Sequence, residues 1–184
     1  MEEYFDVVDK QNRLTGERIA RKEAHATGVW HRAVHAYFYR IGKNKSIEFL
    51  VHLRSKDKDM SPNCWDTRFG GHVASGQTVE EAIVDEIKDE TGLSVTHDML
   101  TDAGWTTTEK YPNNEFNRVY YYNFTGGLDD LHFSDGEVQE VKWMQAGEIC
   151  ASMEKEPKRW SGRLSTFSKT ITWLEAKLAE DLNR

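Results

Sequence analysis

At 184 residues, with three prolines and no low-complexity run, the chain is sized for one domain able to bury a core without disulfide or metal staples. A net charge of -7, without any block of Lys or Arg, gives no electrostatic support to a nucleic-acid polymer or a membrane surface as partner. Cys64 and Cys150 are too few for a disulfide framework, no run of about 18 apolar residues occurs, and MEEYFDVVDK lacks a basic-then-apolar start, so a cytoplasmic protein is expected.

In chain order, YFDVVD reads as a strand, KQNRLTG as a turn and ERIAR as a partner strand, forming an N-terminal hairpin over about residues 4–20. KEAHATG predicts one helical turn closed by Gly28. RAVHAYFYRI and SIEFLVHLRS are rich in aromatic and β-branched residues and, separated by GKNK, predict a central hairpin. The loop KDKDMSPNCWDTRFGG leads into an acidic helix. Thr78 can cap that helix, Glu81 completes a capping box, and Gly92 sits where a left-handed C-terminal cap belongs, giving limits of Thr78 to Thr91. Val79, Ala82, Ile83 and Ile87 share a core-facing side, and Asp85, Glu86, Asp89 and Glu90 form the neighbouring edge. AGWTTTEK, NRVYYYNFTG and EVQEVKWMQ read as further strands and AGEICASMEKE as a helix. A final helix over about residues 163–181 carries an apolar stripe of Leu164, Phe167, Ile171, Leu174 and Leu178. The expected architecture is a single domain over residues 1–184, α+β or α/β by element order, with a mixed β-sheet between helices.

Between Glu80 and Glu90 the chain places six carboxylates and one lysine. Glu86, Asp89 and Glu90, three and four residues apart, project to one side of a helix. Mg²⁺ held by few carboxylates completes its shell with water and substrate phosphates, which points to phosphoryl chemistry. The preceding glycines at 70, 71 and 76 permit close backbone approach to a ligand. Taken alone, a solvated acidic face explains such a cluster more often than a cation does.

The spacing adds to this. GGHVASGQTVEEAIVDEIKDETGL resembles the Nudix box, G-x5-E-x7-R-E-U-x-E-E-x-G-U with U a bulky aliphatic residue. Gly71, Glu86, Ile87, Glu90, Gly92 and Leu93 occupy six of its nine specified positions in register. The resemblance implies a loop-helix-loop that binds Mg²⁺ or Mn²⁺, with Glu86, Glu90 and Asp89 as metal ligands. It also implies hydrolysis of a nucleoside diphosphate linked to another group. Gln77, Asp85 and Asp89 depart from the family's Glu, Arg and Glu. In the family the first two hold the loop and orient the catalytic glutamates, so a catalytically weakened nucleotide-binding or sensor module is the alternative.

A wider resemblance covers residues 5 to about 145. FDVVDKQNRLTGERIARKEAHATGVWHRAVHAYFY, WDTRFGGH and NNEFNRVYYYNF look like the branch containing type 1 isopentenyl-diphosphate isomerase and its hydrolase-like relatives. The isomerase's loop Cys before Gly-His corresponds to Gly70 here, so isomerisation is not expected. His25, His31 and His72 fall near or on the isomerase's metal-site histidines, Glu115 matches one of its later glutamates, and Asn113 stands where it has the other. By their residue type alone, His25 and His31 are better explained as packed or capping imidazoles, and His72 is evenly balanced. Glu115 reads as a carboxylate brought to the metal from outside the box, and either Glu86 or Glu115 as general base. Substrate contacts are expected from Gly71 and His72 in the loop and from Arg54 and Arg68 as forks for phosphate oxygens, though a lone arginine more often makes a surface ion pair. Trp30, Trp65, Tyr111 and Phe116 could stack on a base or belong to the core. The expected partner is a small phosphorylated molecule, and a homodimer is compatible with the sequence.

Overall fold

Alternating apolar and polar residues at one end of the chain, and long aromatic runs in its middle, build strands of two different kinds. The computed structural model describes residues 2–58, 60–133 and 136–183. They fall into two compact units: one takes residues up to Tyr37 and Phe69–Tyr122, the other Phe38–Arg68 and the chain from Asn123 onward.

In the first unit, β1 (Tyr4–Val8) pairs antiparallel with β2 (Leu14–Ala20), matching the hairpin expected there. Then comes α1 (Arg21–Thr27), which ends on Gly28 in the left-handed conformation at φ 73°. β3 (His31–Ile41) begins in this unit and runs on into the other. After the glycine loop, α2 (Val79–Thr91) starts at a full capping box between Thr78 and Glu81 and stops at Gly92, φ 74°. Ala82, Ile83 and Ile87 are buried as the periodicity requires. The unit closes with the antiparallel pair β6 (Leu100–Lys110) and β7 (Asn113–Asn123), where Tyr37 of β3 stacks on Tyr121 at 5.5 Å. Phe5, Val34, Phe69, Ile83, Ile87 and Tyr120 have no exposed surface and form its core.

In the second unit, β4 (Ile47–Arg54) pairs antiparallel with the end of β3, with β5 (Trp65–Asp66) and with β8 (Val138–Gln145). A parallel bridge joins Trp65 to Trp160. The two-residue β5 lies in a stretch read from sequence as loop; it is too short to carry an alternation, and only pairing with β4 defines it. α3 (Ala146–Lys155) and α4 (Leu164–Leu182) cover this unit's core of Phe38, Phe49, Leu50, Ile149, Phe167 and Leu174. Phe167 meets Phe49 edge-on at 5.1 Å, and burying each such side chain contributes about 1.5–3 kcal/mol. The class is α+β, as expected. Among the described residues no helix is long and apolar enough to cross a membrane.

Candidate functional site

The capping box and the left-handed Gly92 fix both ends of α2, and with them the direction in which its carboxylates point. Glu86 and Glu90, one turn apart, are half-buried against the glycine loop, whereas Asp85 and Asp89 are exposed. Glu90 Oε2 accepts from the Gly70 N–H at 2.6 Å. A side chain at Gly71 would fall on the Glu86 carboxylate. At Gly70, with φ +144°, it would fall on the Val34 carbonyl. The loop therefore tolerates no cysteine where the isomerase carries one.

The residues that depart from the box are joined to each other. Gln77 Nε2 donates to Asp85 Oδ2 at 2.9 Å, while Gln77 Oε1 accepts from the Ala74 N–H at 3.2 Å. Loop and helix are tied across this pair with the amide as donor and the carboxylate as acceptor, the reverse of the polarity an Arg at 85 would impose. The sequence shows two departures; only the fold shows that they are joined.

Glu115 does not join Glu86 and Glu90 in one cluster of ligating atoms. Among the described residues, the group whose ligating atoms all lie within 4.8 Å of one another is His25, His31, His72 and Glu115. α1 supplies His25, the start of β3 His31, the glycine loop His72 and β7 Glu115. Glu115 Oε1 is 3.4 Å from His72 Nε2 and 3.8 Å from His31 Nε2. His31 Nδ1 lies 2.9 Å from the Val29 carbonyl, a contact that suits an Nδ1–H donor and leaves Nε2 with its lone pair toward the cluster. Neither His25 Nε2 nor His31 Nε2 has a hydrogen-bond partner, nor does the buried Asn113 Oδ1.

The electrostatics agree with this geometry. Burial lowers the pKa of both His25 and His31, and the neighbouring imidazoles lower it further, so both favour the neutral, metal-ligating form. Burial alone would raise the Glu115 carboxyl; the His72 hydrogen bond, nearby His35 and Asn113 outweigh it and hold the group down at about 2. Explaining His25 and His31 as merely packed or capping imidazoles, the preferred reading of their residue type, accounts for their burial but not for their convergence on a carboxylate. The sequence signal for them is their fall near the metal-site histidines of the isomerase branch.

Arg54 and Arg68 lie in the second unit, both against Asp66. Arg68 Nε donates to Asp66 Oδ1 at 3.2 Å, Arg54 Nη1 is 3.9 Å from Oδ2, and Arg54 Nη2 also donates to the Met60 carbonyl at 2.9 Å. Asp66 is 5 % exposed; burial would raise its pKa, but Arg68 and His52 hold it well below the usual carboxylate range. Of the aromatic candidates, Trp30 packs on Phe116 at 4.7 Å, Trp65 is buried beneath Lys142, and Tyr111 is exposed.

A family model described as NUDIX domain matches residues 29–164. The chain is 32 % identical over 163 residues to Nudix hydrolase 3 of Arabidopsis thaliana, a match covering 84 % of this chain and 21 % of that much longer protein. It is 24 % identical over 184 residues to the isopentenyl-diphosphate Delta-isomerase of Pectobacterium atrosepticum, covering 95 % of this chain and 94 % of the isomerase. A crystal structure from Deinococcus radiodurans superposes with a TM-score of 0.66 at 22 % identity, covering 84 % of this chain and 90 % of the other. His25 and the whole of β1 precede the span of the family match.

Proposed function

The chain belongs to the NUDIX family, and on that premise we propose that it is a metal-dependent hydrolase cleaving a phosphoanhydride in a nucleoside diphosphate linked to another group. The observation that carries this reading is the convergence of Glu115 with three imidazoles at the loop that opens the box helix. These residues fit a divalent cation: two ring nitrogens and Asn113 Oδ1 are buried without hydrogen-bond partners, and Glu115 is held ionised. Three imidazoles and one carboxylate suit Mn²⁺ or Zn²⁺ better than Mg²⁺. Glu86 and Glu90, joined at the edge by exposed Asp89, offer the oxygen ligands that Mg²⁺ takes.

When bound, such an ion would polarise the phosphoanhydride and lower the pKa of a water. The chain's own residues then have separable tasks. Glu115, a carboxylate at neutral pH, and Glu86 are the two candidates to take the proton of the attacking water. His72 Nε2, 3.4 Å from Glu115 Oε1, pairs with that carboxylate, and both would serve as ligands. Gly70 and Gly71 let the backbone approach the substrate, and the Gln77–Asp85 hydrogen bond keeps the loop against α2. We place this activity in a single domain acting on a small phosphorylated molecule in the cytoplasm. The second reading is a non-catalytic nucleotide-binding module, which Gln77 and Asp85 favour by departing from the box, while their mutual hydrogen bond supports a loop still tied to α2. Isopentenyl-diphosphate isomerisation lacks its cysteine, and the backbone at Gly70 leaves no room for one.

The test is turnover across a panel of nucleoside diphosphate derivatives with Mg²⁺ or Mn²⁺, comparing wild type with Glu86→Gln and Glu90→Gln. Release of a nucleoside monophosphate by wild type, lost in both variants, is expected; tight nucleotide binding with no hydrolysis of any panel member would favour the binding module instead.

A further inference from the structure

We infer that Phe5 is a positioning residue for the histidine-rich metal site, its ring setting the planes of His31 and His72 from a strand that precedes the matched family span. This rests on the metal reading above. The three imidazole centroids form a nearly regular triangle: His25 to His31 is 5.2 Å, His25 to His72 is 5.0 Å and His31 to His72 is 5.3 Å. Phe5 caps one side of it. Its ring stacks on His31 at 4.9 Å with 13° between the planes and on His72 at 4.6 Å with 23°, and lies 6.0 Å from His25.

A ligating imidazole must be fixed in its own plane as well as at its nitrogen, because a tilt swings the lone pair away from the metal. His31 receives one restraint from the Val29 carbonyl and the second from Phe5. Phe5 is in turn immobilised. It has no exposed surface, pairs with Ile19 across the hairpin, and bridges Ala74 just beyond His72. Beside it, the Asp6 carboxylate accepts from Ser75 Oγ at 2.6 Å and from the Gly76 N–H at 3.0 Å, while the Ser75 N–H donates to the Tyr4 carbonyl at 2.8 Å. β1 thus holds the loop that carries His72 and at the same time lays an aromatic floor beneath the histidines. A residue that only filled core volume would need neither the near-parallel stacking nor contact with all three rings.

The test is metal binding by the full chain stripped of metal. Mn²⁺ is titrated calorimetrically and Co²⁺ by its visible absorption into wild type, Phe5→Leu, Phe5→Tyr and Phe38→Leu, the last a comparable core loss in the other unit. Phe5→Leu is expected to weaken Mn²⁺ binding about tenfold and to change the Co²⁺ band pattern. Phe5→Tyr, which keeps the ring, is expected to retain both, and Phe38→Leu to lose stability without changing either. If Phe5→Leu does not fold, Phe5→Met, closer in volume and more adaptable, goes through the same titrations with the same expectation. Wild-type affinity and spectrum in a folded variant lacking the ring would overturn the positioning role while leaving the metal reading intact. A wild type that binds neither ion would overturn both.

Discussion

His52, Asp66, Arg54 and Arg68 in the second unit and His25, His31, His72 and Glu115 in the first are both largely buried groups of histidine and carboxylate. In the second unit two guanidinium groups close on one carboxylate, and His52, opposite Asp66 across β4 and β5, is driven neutral. Charge there is met from within. In the first unit three imidazoles, none of them a permanent cation, surround one carboxylate, and two ring nitrogens lack a hydrogen-bond partner. A buried carboxylate ringed by imidazoles has no permanent cation to balance it and suits a divalent ion, whereas one closed on by two guanidinium groups is neutralised from within and marks a strut of the fold.

Mutations should separate the two in different observables. In the first unit, Glu115→Gln is expected to lower kcat for Mn²⁺-dependent hydrolysis by about a thousandfold and to lower the urea midpoint less than the loss of the second unit's carboxylate does. In the second, Asp66→Asn leaves two arginines without their carboxylate and is expected to cost about 3 kcal/mol in urea unfolding. If Glu115→Gln were the more destabilising of the two, the distinction between ligand site and strut would fail.

The pH dependence divides in the same way. Burial lowers His52 to about 4 in the folded chain, below its ordinary value near 6.5, so the unfolded chain binds more protons between those limits. Its contribution to stability is complete above about pH 6.5 and is lost as pH falls toward 4. Between pH 6.5 and 5 the loss is on the order of 2 kcal/mol. His52→Gln is expected to flatten that part of the stability curve in denaturant titrations. The part due to His25 and His31, also lowered, should persist in this variant. The smallest effect is expected at Gln77 and Asp85. Alanine at either should cost about 1 kcal/mol or less, and the double variant no more than the worse single one, as a double-mutant cycle on the shared hydrogen bond would show.

Much of the fold could be read in the chain because its cues are local. Thr78, Glu81 and Gly92 delimit α2 through contacts within a few residues, and the aromatic runs of β3, β4 and β7 declare themselves by composition. The candidate site was readable only in part, because its decisive contacts span long separations. Phe5 meets His72, and Glu115 meets His31 and His72, through no spacing a linear pattern could show. Two readings of Glu115 compete in the sequence, as an outside carboxylate for the ion of Glu86 and Glu90 or as part of the isomerase-like histidine site, and the structure gathers it with the histidines. β5 went unread because two residues make no period. Arg54 and Arg68 stand out in the chain by charge alone, and the carboxylate that engages both is supplied by β5.

The most direct test of the metal site is an anomalous difference map, recorded at the manganese edge, from crystals of the chain grown with Mn²⁺. A peak coordinated by His25, His31, His72 and Glu115 is the expected result. Manganese elsewhere in the molecule, with those four side chains still unliganded, would contradict it.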